Sequence, residues 1–384
     1  MMKRIAILGS TGSIGVNTLD VLSKIEDKFK VVALSANKNV TLLARQAARF
    51  KPKILCVGAD SLSGDLKRLN RSKAIVVSGA DGLKEIVARR DVDLVVFAIG
   101  GLACLVPLIE AIKNKKQIAL ANKESLVSAG PVISKLARQY GVNIIPIDSE
   151  HSAIFQCLDG RNDKPSKIYL TSSGGPLLNV KKVRFDKLSR GFILNHPKWR
   201  MGKKISVDSA TMMNKGIEII EAQMLFGIPE ASIEVLVHPE AVIHSMVEFR
   251  DGAILAQLGI PDMRVPIQYA LTYPCRQDNA LARVDFSGLG ALSFKPPDCN
   301  KFPSLNLARK AARSGGTAPA VLCAADEEAV TYFLNGRIKF TDIPKVIEKV
   351  LSRHVNMEDK LLSLDSVLAA QLWAREEARS ICCH

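Results

Sequence analysis

The sequence predicts an α/β protein with a doubly wound N-terminal domain, an α/β middle domain on a mainly antiparallel sheet, and a C-terminal helical bundle. Three observations predict it. Continuous apolar runs alternate with helical stretches up to about Glu150; hydrophobic and polar residues then alternate to about Pro274; and from residue 304 onward the pattern is helical. A continuous apolar run signifies a strand covered on both faces, as in a parallel sheet between helices, whereas alternation signifies a sheet with one covered face.

The runs of the first part are RIAILG, VVALSA, ILCVG, AIVVSG, LVVFAIGG, QIALANKES and NIIPIDSE, and their regular exchange with helices makes residues 1–150 a Rossmann-like domain. KIYLTSSGG, IEVLVHPEAVIHSMVEFRDG and AILAQLG, with a turn at Asp251-Gly252, give the middle domain over 151–274. Residues 275–303, with Pro296-Pro297 and Pro303, keep no steady period and read as a linker. In 304–384, helix starts stand at Thr317-Ala-Pro319, Thr341-Asp342-Ile-Pro344 and Ser363, with a stop at Asn335-Gly336. That bundle carries no obvious chemistry, so its expected role is to brace the middle domain.

A chain of 384 residues with eight scattered cysteines, no C-x-x-C pair and no signal-peptide pattern is expected to be cytoplasmic, with reduced thiols. No apolar run approaches the roughly 20 residues of a membrane helix. The net charge of +15 is concentrated between Arg161 and Lys204, where twelve Lys or Arg meet two acidic residues. With five Tyr and two Trp, the sequence lacks the aromatic clusters of a nucleic-acid platform. The basic segment suits a small phosphorylated substrate, or is an ordinary solvated face.

Gly9-Ser-Thr-Gly12-Ser-Ile-Gly15 follows a strand and opens a helix, the context of a dinucleotide turn. At the end of the second strand stand Asn37, Lys38 and Asn39 rather than Asp or Glu. A cation and two carboxamides suit a 2′-phosphate, so NADPH is expected over NADH. Asp148 and Glu150 leave the carboxyl end of another strand, and Asn214 and Glu218 stand one helical turn apart with Lys215 between them. Three carboxylates without cysteine or paired histidine favour a hard cation, Mg²⁺ or Mn²⁺. Capping is the competing reading of Asp148 and Glu150. Ser172-Ser173-Gly174-Gly175 is an anion cradle or a plain turn, with Ser209, Asn214 and Lys215 able to complete it, and Trp199 lies in a polar stretch that either docks or closes over a ligand.

Taken together, GSTGSIG, ALANKES, PIDSEHSAIFQ, TSSGGP, HPKWRMG, KISVDSATMMNKGIE and VIHSMV resemble, in that order, the 1-deoxy-D-xylulose 5-phosphate reductoisomerase family, from near the start to about Pro266. The resemblance implies NADPH-dependent rearrangement and reduction of 1-deoxy-D-xylulose 5-phosphate to 2-C-methyl-D-erythritol 4-phosphate, the committed step of the non-mevalonate isoprenoid route. It implies a metal held by Asp148, Glu150 and Glu218, acting as Lewis acid and template while the carbon chain is cleaved, re-joined and reduced. Ser149, Glu150, Ser173, His196, Ser209, Asn214, Lys215 and Glu218 match substrate positions. Thr11, Gly12, Ser13, Ile14, Gly15, Asn37, Lys38, Asn39, Asn122, Glu124 and Gly202 match cofactor positions. Lys123, Glu150, His151, His196, Trp199, Met201 and His244 are implied at the catalytic centre, with Trp199 and Met201 in a flap over about 173–203.

Two departures stand out: the family often has Gly at Asn37, and an Arg-Trp pair where this chain has Gln223-Met224. The resemblance also implies a homodimer built on the middle domain. The alternatives are another NADPH-dependent sugar or semialdehyde dehydrogenase without carbon migration, or a protein that binds NADPH without turnover.

Overall fold

The structure, a computed structural model, describes residues 2–161, 163–199 and 201–383. Met1, Asn162, Arg200 and His384, which fall within the expected domain spans, lie outside the described residues, and with Arg200 so does one position of the expected flap.

Seven strands, β1 (Lys3–Leu8), β2 (Phe29–Ala36), β3 (Ile54–Val57), β4 (Ile75–Ser78), β5 (Leu94–Phe97), β6 (Gln117–Leu120) and β7 (Ile144–Pro146), form one sheet ordered β4-β3-β2-β1-β5-β6-β7. Every pair in it is parallel. Each strand grows from one of the apolar runs, and Ile5 to Leu8 and Leu94 to Phe97 are fully or almost fully buried, as strands covered on both faces must be. The order reverses between β1 and β5. The crevice beyond the carboxyl ends of strands at such a reversal is where open α/β sheets bind ligands.

This sheet belongs to a compact unit of residues 1–125, 133–152 and 262–281. The last span includes residues that the sequence pattern assigns to the middle segment. The helix Arg264–Thr272 packs on the helix Ser13–Leu22, where Arg264 Nη1 lies 3.1 Å from Asp20 Oδ2. An ion pair across so many intervening residues leaves no trace in local periodicity.

The second unit comprises residues 126–132, 153–261 and 282–383 of the described chain. Its sheet has β8 (Lys167–Ser172), β9 (Ile233–Val237), β10 (Ile243–Glu248) and β11 (Ile254–Leu258) in the order β11-β10-β8-β9. β10 runs antiparallel to β8 and β11, while β9 joins β8 in parallel. Of the C-terminal helices Pro303–Ser314, Ala318–Leu334, Asp342–Arg353 and Leu364–Cys383, the last three start at the expected signals and the second ends at Asn335-Gly336, whereas the first begins at Pro303, the last residue of the expected linker. Their apolar faces form one core with the helix Met213–Phe226, through Ile217, Ile220, Leu305, Val321, Ala325 and Val346. No helix among the described residues is long and apolar enough to cross a membrane.

Candidate active site

In the first unit, the loop after β1 is held by its glycines in two different ways. Gly9 has a φ of +88°, and a Cβ there would stand 2.4 Å from Ala98 O; a Cβ on Gly15 would stand 2.3 Å from Gly9 O. Both glycines are therefore required by the turn itself. Gly12 has a φ of −78°, open to any residue, and its nearest neighbour would be 3.4 Å away. It caps the helix Ser13–Leu22 without a side-chain hydrogen bond, and a helix start that its own cap leaves unsatisfied is suited to an anion.

Sequence reasoning missed what braces this loop. The buried Ser10 hydroxyl donates to Gln46 Oε1 at 2.7 Å, Gln46 Nε2 donates to Ser10 O at 2.8 Å, and Gly9 N donates to Ser35 Oγ at 2.9 Å. A serine at position 35 within the otherwise apolar run of β2 was the available signal; Gln46, in a helix that also carries Arg45 and Arg49, gave none. Asn37, Lys38 and Asn39 are exposed after β2. Asn39 accepts from Leu42 N at 3.1 Å and caps the helix Val40–Phe50, so its carboxamide oxygen already has a structural task. Asn37 fits where the family often has Gly because position 58 is glycine: a Cβ on Gly58 would stand 2.1 Å from Asn37 Oδ1.

Asn122, also buried, caps the helix Lys123–Tyr140 through Ser125 N at 2.9 Å and donates to Ile99 O, Gly101 O and Glu124 Oε2. Lys123 Nζ lies 2.5 Å from Asp148 Oδ2, and His151 Nδ1 lies 3.7 Å from the same oxygen. Burial by itself would raise the Asp148 carboxyl, but the Lys123 ammonium and the His151 ring hold it well below the usual carboxylate range. Asp148 is thus ionised at neutral pH. One carboxylate oxygen of Asp148 and one of Glu150 lie within 4.8 Å of each other, and Ser149 Oγ donates to Glu150 Oε2 at 2.5 Å.

In the second unit, the helix Lys203–Thr211 ends at Met212, whose φ of 60° is left-handed, and the helix Met213–Phe226 starts at once. The first turn of that second helix carries Asn214 and Lys215, and the next turn carries Glu218. Lys215 and Glu218 form an ion pair with side chains 4% and 1% exposed, and Asn214 Nδ2 donates to Glu218 Oε1 at 2.5 Å. Gly175 lies directly on Ser209, where a Cβ would come 3.1 Å from Ser209 Oγ. The TSSGG loop and Ser209, expected in one phosphate site, are therefore adjacent. Behind Glu218, the departure at Met224 is absorbed by Gly130, whose missing Cβ leaves room for the Met224 side chain.

His196 Nδ1 accepts from Trp199 N at 2.9 Å and from Lys198 N at 3.2 Å. With Nδ1 an acceptor, the neutral ring carries its proton on Nε2, which lies 3.3 Å from Ser173 Oγ. Burial pushes the His196 ring down to about 4, so it is uncharged at neutral pH. The Trp199 ring centroid stands 6.5 Å from that of His244 on β10. Met201 is half-buried and Gly202 exposed at the start of the next helix.

The two units thus divide the expected residues. Thr11 to Gly15, Asn37 to Asn39, Asn122 to Glu124 and Asp148 to His151 lie in the first, and Ser173, His196, Trp199, Met201, Gly202, Ser209, Asn214, Lys215, Glu218 and His244 in the second.

Comparison with known proteins gives matches along nearly the whole chain. Residues 5–130 match the family model described as 1-deoxy-D-xylulose 5-phosphate reductoisomerase, and 144–226 and 258–377 match models of C-terminal domains of the same enzyme. The chain is 52% identical over 383 residues to the 1-deoxy-D-xylulose 5-phosphate reductoisomerase of Acetivibrio thermocellus, covering 99% of this chain and 100% of that one. It is 47% identical to that of Chloroherpeton thalassium, covering 98% and 99%. Among solved structures, the Zymomonas mobilis reductoisomerase in complex with NADPH superposes with a TM-score of 0.92 at 43% identity, covering 100% of this chain and 99% of that one. A reductoisomerase in complex with NADPH, fosmidomycin and magnesium gives 0.95 at 40% identity, covering 99% and 98%.

Proposed function

The chain belongs to the 1-deoxy-D-xylulose 5-phosphate reductoisomerase family, and we propose that it converts 1-deoxy-D-xylulose 5-phosphate to 2-C-methyl-D-erythritol 4-phosphate with NADPH and a divalent cation, magnesium or manganese. When bound, the cation supplies Lewis acidity and a template for the rearrangement, and NADPH supplies the hydride. Asp148, Glu150 and Glu218 hold the cation. The observation that carries this reading is the Asp148 carboxyl, kept ionised by Lys123 and His151 despite its burial and within 4.8 Å of a Glu150 carboxyl oxygen, because charged carboxylate oxygens are what a hard cation takes as ligands.

Gly12 lets the cofactor's pyrophosphate approach the loop of Thr11, Ser13, Ile14 and Gly15. Lys38, with Asn37 and Asn39, meets the 2′-phosphate, and Asn122, Glu124 and Gly202 are further contacts to the cofactor. Ser173, Ser209, Asn214 and Lys215 take the substrate phosphate, with His196 Nε2–H as a neutral donor; Ser149, Glu150 and Glu218 position the reacting carbons' oxygens. Neutral donors with one lysine bind a phosphate through directed hydrogen bonds, so position matters as much as charge. Trp199 and Met201 close over the substrate and exclude water, so that fragments of the cleaved carbon chain do not escape. Lys123, His151 and His244 stand with Glu150 as the groups that orient the substrate or pass protons.

The protein acts in the cytoplasm as a homodimer built on the middle domain, residues 151–274. Support for the dimer comes from β11, an edge strand whose Ile254 is 50% exposed, since an apolar edge invites pairing. The function is tested by NADPH oxidation with 1-deoxy-D-xylulose 5-phosphate, with and without EDTA, and by NMR of the product. Metal-independent oxidation, or a product with an unbranched carbon chain, would overturn it.

A further inference from the structure

Three charged side chains of the second unit have no part in the site as described so far. Lys204 lies in the first turn of the helix Lys203–Thr211, directly after the flap. Its ammonium stands 2.5 Å from Asp208 Oδ2 on the same helix and 2.8 Å from Asp326 Oδ2 on the helix Ala318–Leu334. The two carboxylate side chains are 3% and 0% exposed, and that of Lys204 is 26% exposed. Among the described residues, Asp326 has no other polar partner, and both its carboxylate oxygens are buried without a hydrogen bond, so the Lys204 ammonium meets it as an ion pair alone.

Two buried acids on one ammonium are a poor source of stability. Each buried ion loses several kcal/mol of hydration, and apolar residues of similar volume commonly do as well or better. What the triad does supply is position. Lys204 comes two residues after Gly202, whose carbonyl accepts from Ser206 N at 3.0 Å and Ser206 Oγ at 3.1 Å to start the helix. Asp208 immediately precedes Ser209, which packs on Gly175. The ammonium therefore ties the beginning and the end of one short helix, flap at one side and Ser209 at the other, to a C-terminal helix.

We propose that Asp326 is a positioning residue for the substrate site: through Lys204 it anchors the C-terminal end of the flap and keeps Ser209 in place, so the C-terminal bundle sets the geometry of phosphate binding. The inference rests on the reading of about 173–203 as a flap and of Ser209 as a phosphate ligand. It assigns to the bundle a task that its own sequence does not announce.

The test compares Asp326→Asn and Lys204→Arg with the parent in steady-state kinetics, and reads Trp199 fluorescence with acrylamide in a Trp373→Phe background. Asp326→Asn is expected to raise KM for 1-deoxy-D-xylulose 5-phosphate about tenfold while KM for NADPH stays within about twofold. Without substrate, Trp199 becomes more accessible to acrylamide; saturating substrate restores the parental value. If Asp326→Asn does not fold, Lys204→Arg, which keeps the charge but moves its donors, is expected to show the same split. A fall in Tm with unchanged KM values and unchanged quenching would overturn the proposal and make the triad purely structural. Trp199→Ala, measured alongside, separates the premises: if it raises the substrate KM while the triad variants do not, the anchor falls and the flap stands. If none of them moves that KM, the flap reading falls and takes the anchor with it.

Discussion

A methyl group at Gly12 meets no atom closer than 3.4 Å, whereas one at Gly15 collides with Gly9 O at 2.3 Å. Gly12→Ala is therefore expected to leave Tm within a few degrees and raise KM for NADPH, since the lost space is the cofactor's. Gly15→Ala is expected to lower Tm strongly, by a packing clash worth on the order of 1–3 kcal/mol. Thermal melts of the two apo variants separate these outcomes. Glu218→Gln is expected to retain NADPH binding, followed by cofactor fluorescence, while losing about 100-fold or more in turnover at saturating Mg²⁺; near-normal turnover would sink the metal assignment. His196 gives a pH prediction. Its folded ring resists protonation down to about 4, whereas the unfolded chain accepts the proton near 6.5. Its contribution to stability is thus fully present above about pH 6.5 and is lost as pH falls toward about 4. NMR of the His196 ring is expected to show the neutral form throughout pH 5.5 to 8, with the proton on Nε2.

At the scale of elements, the β2-to-helix connection separates two adjacent residues with similar sequence readings. Lys38 is exposed with no cap to make, so Lys38→Ala is expected to lower kcat/KM for NADPH about tenfold with little change for NADH, narrowing the preference. Asn39 caps the helix Val40–Phe50, and Asn39→Ala is expected to cost about 1 kcal/mol of stability in a melt as well as any cofactor effect. The left-handed Met212 between two helices is the other element-scale device. A bulky residue at a φ of 60° is strained. That turn nevertheless stands between Ser209 and the Asn214–Glu218 turn, so the strain accompanies the placement of the groups proposed to hold phosphate and metal. The sequence pattern places Asn214 and Glu218 one helical turn apart but does not show the break before them, because a left-handed Met carries no propensity signal.

On the scale of the molecule, the edge strand β11 and its exposed Ile254 give a prediction for assembly. Ile254→Lys is expected to move the protein from dimer toward monomer in analytical ultracentrifugation, because a charge on an edge opposes strand pairing. The seven strands of the first sheet were all legible, as were the starts of the last three helices, because apolar periodicity, Pro and Gly are local signals. The individual site motifs were legible as residue types whose roles, taken alone, stayed open between ligand and cap or turn; Asn122 and Asn39 show that capping is a real part of the answer.

By itself, the sequence determined the strand and helix order, the glycine-rich turn after β1, the set of carboxylates at Asp148, Glu150 and Glu218 and, through its ordered motifs, the family. Tertiary structure alone decided which glycine of the turn is spare, which tautomer His196 adopts, that residues 262–281 pack with the first unit, and that Asp326 pairs with Lys204. Those facts depend on burial and on contacts between distant segments, and desolvation makes such contacts decisive for charged groups while leaving no periodic mark along the chain.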